Sequence, residues 1–167
     1  MKTCLFAGTF DPFTIGHFHV VGKALSTFDR VVIAIGENAD KKPLFSLEQR
    51  LSVINAIFEK DKRVVTTNFK GYLVDFMAEK GLIYNVRGIR NGIDFEYESR
   101  MEEFNAKRYP SLITLYFPVG EEVQSISSTF ARSIIEKGGD LSKIIPEKGL
   151  PIISNILKEK ALNAKEK

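Results

Sequence analysis

The sequence predicts a doubly wound α/β fold with a five-stranded parallel sheet. Five short apolar segments lie at residues 3–7, 31–35, 63–67, 83–86 and 112–117, and segments with helical periodicity separate them. Several of these segments lack polar–apolar alternation, which is typical of parallel strands covered on both faces. Strands that alternate with helices favour a parallel sheet that binds ligands at the carboxyl ends of its strands.

The first two helices are predicted from apolar side chains at helical spacing. The first stripe consists of Phe18, Val21, Leu25 and Phe28, and the second of Leu47, Leu51, Ile54 and Phe58. Ser46 and Gln49 have the spacing of a capping box, so the second helix is expected to begin just after Ser46.

The later helices are bounded mainly by glycine and proline. They are predicted at residues 72–80, 92–107 and 129–137, with a C-terminal helix after Pro151. The helix at 92–107 is predicted from Tyr97, Met101 and Phe104. Because no repeat or linker divides the chain, we predict one domain at residues 1–160 and a frayed tail at 161–167.

Composition excludes several classes of protein. The 167 residues are 44% hydrophobic and 27% charged, and no segment approaches the roughly 18 consecutive apolar residues of a membrane span. The formal net charge of +3 is too small to indicate a nucleic-acid-binding face. The one cysteine, Cys4, excludes an intrachain disulfide, and the N-terminus lacks the features of a signal peptide. We therefore expect a cytoplasmic protein without membrane or nucleic-acid partners.

The connection after the first strand reads GTFDPFTIGH, residues 8–17. Its glycines allow backbone N–H groups to approach a ligand, and the start of the following helix favours an anion such as phosphate. His17 can donate a hydrogen bond to a phosphoryl oxygen from either ring nitrogen, and Thr9 can donate from the strand end. Alternatively, the segment is a turn and His17 lies on the surface. His17 and His19 lie on different sides of a helix, so we predict no metal bound directly by protein ligands.

Three further segments are expected at the same edge of the sheet. NADKKPLFS places Lys41 and Lys42 after the second strand, either as phosphate ligands or as a solvated charge pair. RGIRNGIDFEYE places Arg87 and Arg90 after the fourth strand, and arginine forks suit phosphate oxygens. Most of the glutamates that follow could form only a solvated helix face.

The fourth segment, SISSTFAR, lies at residues 125–132 at the start of a predicted helix. Ordinary N-capping uses one hydroxyl, but Ser127, Ser128 and Thr129 offer three, so we predict a second phosphate cradle. The chain lacks a nucleophile elbow and a reactive cysteine. Donors and cations around several phosphates indicate transfer by positioning and charge stabilisation.

These motifs resemble two signatures of the nucleotidyltransferase superfamily. Thr14-Ile15-Gly16-His17 is similar to its (H/T)xGH signature, and Ile126-Ser127-Ser128-Thr129 with Arg132 is similar to its ISSTxxR signature. KKPLF at residues 41–45, RGIR at 87–90 and DFEYE at 94–98, followed by Asn105, resemble the phosphopantetheine adenylyltransferase family. The resemblance covers residues 3–150.

The resemblance implies transfer of the adenylyl group of ATP to 4′-phosphopantetheine, which gives dephospho-coenzyme A and pyrophosphate. This is the penultimate step of coenzyme A synthesis. It further implies a Rossmann-like sheet, Mg²⁺ supplied with ATP, a homohexamer, and coenzyme A as a possible feedback ligand.

The same resemblance assigns residues to each substrate. It gives His17 the stabilisation of the reacting α-phosphate, with Lys41 and Arg90 also catalytic. Phosphopantetheine is expected to contact Thr9, Lys41, Leu73 and Arg87. ATP is expected to contact Thr9, Phe10, His17, Gly88, Ile89, Arg90, Glu98, Val123, Gln124, Ser125, Ile126, Ser127, Ser128 and Thr129.

Three residues depart from the family pattern. Val123 replaces a usual aromatic side chain near the nucleotide, so this position offers no ring for stacking, and Ala39 replaces a frequent proline before Lys41. Arg132 stands where lysine is common, and either residue can bind phosphate. The resemblance leaves Asp11 with two alternatives, a turn residue or a contact to Mg²⁺.

Other functions remain as alternatives. A nicotinamide-mononucleotide adenylyltransferase or a polyol-phosphate cytidylyltransferase would share both superfamily signatures, but the DFEYE string and the placement of Lys41 argue against them. A fragment related to class I aminoacyl-tRNA synthetases would share the TIGH turn, but this chain is short and lacks a basic face. A noncatalytic module would bind ATP without releasing pyrophosphate.

Overall fold

The protein is built on a five-stranded sheet in the order β3-β2-β1-β4-β5. In this computed structural model, which describes residues 1–37 and 42–165, the strands are β1 (Thr3–Gly8), β2 (Arg30–Glu37), β3 (Val64–Lys70), β4 (Tyr84–Ile89) and β5 (Ile113–Pro118). All four neighbouring pairs are parallel. The predicted parallel α/β fold is confirmed, and each strand extends slightly further at its carboxyl end than its apolar segment.

The helices lie in the predicted order along the chain. They are α1 (Ile15–Leu25), α2 (Leu47–Ile57), α3 (Leu73–Glu79), α4 (Gly92–Arg108), α5 (Ser128–Glu136) and α6 (Leu150–Lys165). Helix α6 continues into the segment for which a frayed tail was predicted. Ala161 and Leu162, which have high helix propensity, lie in this extension.

Capping residues set the ends of these helices as predicted. At the start of α2, the Gln49 N–H donates to Ser46 Oγ at 3.2 Å, and the Ser46 N–H donates to Gln49 Oε1 at 3.0 Å. Gly81 follows α3 with a φ of +64°, and Gly138 follows α5 with a φ of +65°. Glycine adopts this left-handed conformation without strain, which explains why both helices end there.

The two faces of the sheet are covered by different helices. Cys4, Phe6 and Ile33 belong to a core cluster that includes residues of α1, α2, α5 and α6, whereas Leu5 and Ala7 pack with residues of α3. Burial raises the pKa of the Cys4 thiol to about 12, consistent with a packing role. Every helix within residues 1–37 and 42–165 is too short or too polar to span a membrane.

Helix α4 has the predicted bounds within a residue, but its apolar side chains do not fill a core. None of its residues is buried, and Tyr97, Met101 and Phe104 are 64%, 42% and 48% exposed. These three side chains instead line a cavity beside the sheet. Apolar periodicity identified the helix correctly, but it could not distinguish a packed face from a cavity wall.

Candidate active site

Two cavities lie side by side at the carboxyl ends of β1 and β4. The larger has a volume of about 1060 Å³ and is lined by residues of α2, including Arg50, by residues of α3 and α4, and by the ends of the strands. The smaller, of about 530 Å³, is lined by the starts of α1 and α5 and by the end of β4. They share Ala7, Gly8, Arg87, Tyr97 and Glu98 in their linings. Ligands in the two cavities would therefore meet at the end of β1.

Two glycines allow the walls of the smaller cavity to approach each other. A Cβ on Gly16 would lie 3.1 Å from the Ile126 carbonyl oxygen, so glycine brings the start of α1 against the segment before α5. A Cβ on Gly88 would lie 2.6 Å from Val20 Cγ2, so β4 passes close to α1. The TIGH and ISST motifs, distant in sequence, are thus in direct contact.

His17 lines the smaller cavity as a neutral imidazole. Its Nδ1 accepts the Thr14 N–H at 2.9 Å, so the ring proton resides on Nε2. The rings of Phe6, Phe10 and Phe13 surround it, with centroids 5.1–6.2 Å away. Burial, followed by the charges of Arg90 and Arg87, lowers its pKa to about 4. We predicted a donor at either ring nitrogen; the structure leaves Nε2.

His19 is separate from this site. Its Nδ1 lies 3.5 Å from Glu122 Oε1, and His19 is absent from the linings of both cavities. Within residues 1–37 and 42–165, no group of three His, Cys, Asp or Glu side chains is placed to hold a metal ion.

The two arginines of the RGIR motif are paired with carboxylates of α4. The Nε and Nη2 of Arg87 donate to Glu98 at 2.7 and 2.6 Å, and its Nη1 donates to the Ala7 carbonyl at 2.9 Å. Arg90 forms a similar fork with Asp94 at 2.7 and 3.0 Å. The hydrogen bond from Arg90 lowers the pKa of Asp94. The sequence placed Arg87, Arg90 and Glu98 at one site but did not indicate these pairings.

The start of α5 differs in part from the predicted phosphate cradle. Each of its three hydroxyls has a partner within the chain. Ser127 Oγ accepts the Phe130 N–H at 3.0 Å, and Ser128 Oγ donates to the Pro12 carbonyl at 2.9 Å. Thr129 Oγ1 accepts from Arg132 at 3.1 Å. Arg132 also donates to the Asp11 carbonyl at 2.7 Å. These side chains hold the β1–α1 loop against α5, and the first N–H groups of the helix provide the feature that favours an anion.

The remaining predicted residues are distributed over both cavities. Thr9 and Leu73 line the larger one, whereas Phe10, Gly88 and Ile126 line the smaller one. Lys41 and Ala39 fall outside the described residues.

Several predicted ATP contacts do not line the smaller cavity in the structure. Val123 is buried and belongs to the core, so its side chain does not replace the aromatic contact that the family pattern would place there. Ile89 ends β4, the exposed residues Gln124 and Ser125 lie on the segment leading into α5, and the exposed Thr129 lies in its first turn.

Asp11, which the sequence left open, is a buried structural acceptor. Its Oδ2 accepts the Leu44 N–H at 2.8 Å, and its Oδ1 accepts the Phe45 N–H at 2.9 Å. Beside it, the buried Arg50 of α2 donates from Nη1 to the Thr9 carbonyl at 2.8 Å. Sequence reasoning missed Arg50, because one arginine in an amphipathic helix is usually a surface residue.

The parallel sheet, with hydrogen-bond donors gathered at the carboxyl ends of its strands, is typical of a nucleotide-binding α/β protein. Residues 5–134 match the cytidylyltransferase-like family. Relatives named phosphopantetheine adenylyltransferase are similar along nearly the whole chain. The protein of Thiobacillus denitrificans is 36% identical over 96% of this chain and 98% of its own, and that of Phocaeicola vulgatus is 41% identical over 88% and 97%. The chain belongs to the phosphopantetheine adenylyltransferase family.

A solved structure with the same fold is that of a bifunctional NMN adenylyltransferase/ADP ribose pyrophosphatase from Francisella tularensis. The TM-score is 0.69 at 18% sequence identity, and the match covers 88% of this chain but 45% of that protein. At this identity the likeness concerns the fold alone.

Proposed function

We propose that the protein transfers the adenylyl group of ATP to 4′-phosphopantetheine, which yields dephospho-coenzyme A and pyrophosphate. The observation that carries this proposal is the meeting of two cavities at the end of β1, beside His17 and Arg87. A transferase for two phosphorylated substrates needs such adjacent sites, because their reacting phosphates must come into contact.

The linings support one substrate for each cavity. ATP fits the smaller one, where the starts of α1 and α5 and the close approach of Gly88 favour phosphates. Phosphopantetheine fits the larger one, whose wall from Tyr97 to Phe104 suits an extended arm with apolar and amide groups. Thr9, Leu73 and Arg87 are its proposed contacts there, and Lys41 is proposed to reach its phosphate.

The reaction can proceed without a protein nucleophile. An oxygen of the acceptor phosphate attacks the α-phosphorus of ATP, and the bond from that phosphorus to the oxygen bridging to the β-phosphate breaks. Pyrophosphate leaves with that electron pair. The acceptor phosphate is already ionised at neutral pH, so a general base has little to do, and charge repulsion is the main barrier.

The described residues can relieve that repulsion. Neutral His17 donates from Nε2 to an oxygen of the reacting α-phosphate, where negative charge accumulates in the transition state. Arg87 and Arg90 are proposed to bind phosphate oxygens through the guanidinium N–H groups that their pairing with Glu98 and Asp94 does not use. Glu98 and Asp94 hold the guanidinium planes ready, so little order remains to be imposed when a ligand binds.

Among the described residues, no set of side chains is placed to bind the proposed Mg²⁺. Asp11 accepts two backbone N–H groups, and Asp94 and Glu98 are paired with arginines. We propose that the ion is held by the phosphates of ATP. The homohexamer, feedback by coenzyme A and a cytoplasmic location are likewise proposals, supported by membership of the family.

A pyrophosphate-release assay tests the function. ATP and CTP are each combined with phosphopantetheine, nicotinamide mononucleotide and glycerol 3-phosphate. We expect release with ATP and phosphopantetheine alone. Release with another pair and none with this one would overturn the assignment, and ATP binding without release would indicate a noncatalytic module.

A further inference from the structure

Two residues that the proposed reaction does not use connect the β1–α1 loop to α2. Arg50 reaches from α2 to the carbonyl of Thr9, and Asp11 reaches from the loop to the N–H groups of Leu44 and Phe45. Both side chains belong to buried residues, Asp11 at 4% and Arg50 at 6% exposed. We name these three hydrogen bonds the Asp11–Arg50 bracket.

The bracket links the β1–α1 loop to the segment that leads into α2, and each side contributes one side chain. A side chain of α2 fixes the backbone of the first loop, and a side chain of the first loop fixes the backbone ahead of α2. Thr9 lines the larger cavity, and Leu44 follows shortly after Lys41 and Lys42 in sequence. The bracket therefore determines how far Thr9 lies from the chain that leads to the predicted phosphate ligand Lys41.

A role in stability alone does not account for Arg50. Within the part of the chain that the structure describes, Arg50 forms no ion pair within 4.0 Å, although Asp11, Glu37 and Glu48 act on it at longer range. Burial lowers the pKa of Arg50, which means that its charge is held at a cost. An apolar side chain would fill the space without that cost, but it could not hold the Thr9 carbonyl at the edge of a cavity.

We propose that Asp11 and Arg50 are positioning residues, which act together through Thr9 and the 42–45 segment to place the acceptor phosphate for transfer. This inference rests on the proposed adenylyl transfer. Misplacement of the acceptor should reduce turnover and the use of phosphopantetheine, whereas the ATP cavity, which neither residue lines, should be less affected.

The test compares Asp11→Ala, Arg50→Met and the double variant in the pyrophosphate-release assay. We expect each single variant to lower kcat/KM for phosphopantetheine by about 10–100-fold, as expected for a displaced substrate, with the KM for ATP changed by less than about threefold. Because either substitution breaks the same bracket, the double variant should be no worse than the poorer single variant.

Ile54→Val is the matched control. Ile54 is fully buried one turn after Arg50 in α2, so its loss of a methyl group lowers the Tm without removing a bracket hydrogen bond. We expect it to retain kcat/KM for phosphopantetheine. Asp11→Asn and Arg50→Lys provide milder variants if the first pair fails to fold, with the same order of effects.

The outcomes separate the inference from the function. Three results would overturn the positioning role: losses of kcat/KM that multiply in the double variant, equal losses toward ATP and phosphopantetheine, or an equal loss in Ile54→Val. In each of these cases an active wild type still upholds the transferase. A wild-type chain without activity toward ATP and phosphopantetheine would overturn the proposed function and the bracket's role with it.

Discussion

At the scale of single residues, the environment of His17 decides what it can do. Three phenylalanine rings pack around the imidazole, and the Thr14 N–H fixes which nitrogen keeps the proton. A group with a pKa near 4 is a poor general base for the reaction and is fully neutral at physiological pH. The aromatic surroundings thus make His17 a fixed hydrogen-bond donor.

Replacing His17 with alanine should lower turnover far more than ATP affinity. The hydrogen bond from Nε2 is expected to be strongest in the transition state, so kcat should fall by about 10²–10³-fold. Steady-state kinetics and equilibrium ATP binding measure the two effects. His19→Ala is the control and should behave as the wild type; equal losses in binding and turnover for His17→Ala would contradict the role.

Stability should depend on His17 as the pH falls. The unfolded chain takes up a proton at this position below about pH 6.5, whereas the folded chain does so only near pH 4. The unfolded state therefore binds more protons in this window, and the free energy of unfolding decreases as the pH is lowered.

Urea unfolding of the wild type and His17→Gln at about pH 7.5 and about pH 5 measures this effect. The wild type should lose more free energy of unfolding than the variant. The difference should be about 1.4 kcal/mol for each pH unit by which the measurement lies below the pKa of the unfolded histidine. Equal losses would contradict a neutral imidazole at His17.

At the scale of elements, the sequence predicted the strands and helices better than their ends and contacts. The strands run past the apolar segments because residues such as Arg87 and Gly88 continue the ladder while they form the site. A hydrophobicity pattern does not detect a strand end that consists of polar residues and glycine. Likewise, the Ala7 carbonyl that accepts from Arg87 and the Pro12 carbonyl that accepts from Ser128 are distant in sequence, so these contacts depend on which elements meet in space.

Gly16→Ala should separate α1 from the segment before α5. A Cβ 3.1 Å from the Ile126 carbonyl oxygen forces one of the two to move, so the KM for ATP should rise several-fold and the Tm should fall. Gly22→Ala is the matched control in the same helix, where a Cβ meets nothing within 4 Å.

The control should gain about 0.5–1 kcal/mol of stability, since alanine favours an exposed helix interior. Kinetics with varied ATP and thermal unfolding compare the two variants. A Gly16→Ala protein with unchanged KM and Tm would show that the close contact is dispensable.

At the scale of the whole molecule, exposed apolar side chains support the proposed self-association. Phe95 is 49% exposed on α4, and Ile113 is 47% exposed on the edge strand β5. Exposed apolar side chains are typical of an interface between copies.

The homohexamer proposed from family membership predicts a mass of about six chains of 18.8 kDa in sedimentation equilibrium. Measurements over a range of protein concentrations would detect dissociation. A mass of one chain at all concentrations would contradict the hexamer and leave the site of each chain as described.

The common wall of the two cavities has a kinetic consequence. A product that joins both substrates through one new bond occupies both cavities, so it can leave only when its contacts in each are broken together. The second half of such a molecule rebinds at the high effective concentration set by the first. We therefore expect departure of the joined product, rather than bond formation, to limit the cycle, and a compound long enough to span Gly8 should outlast either half on the enzyme.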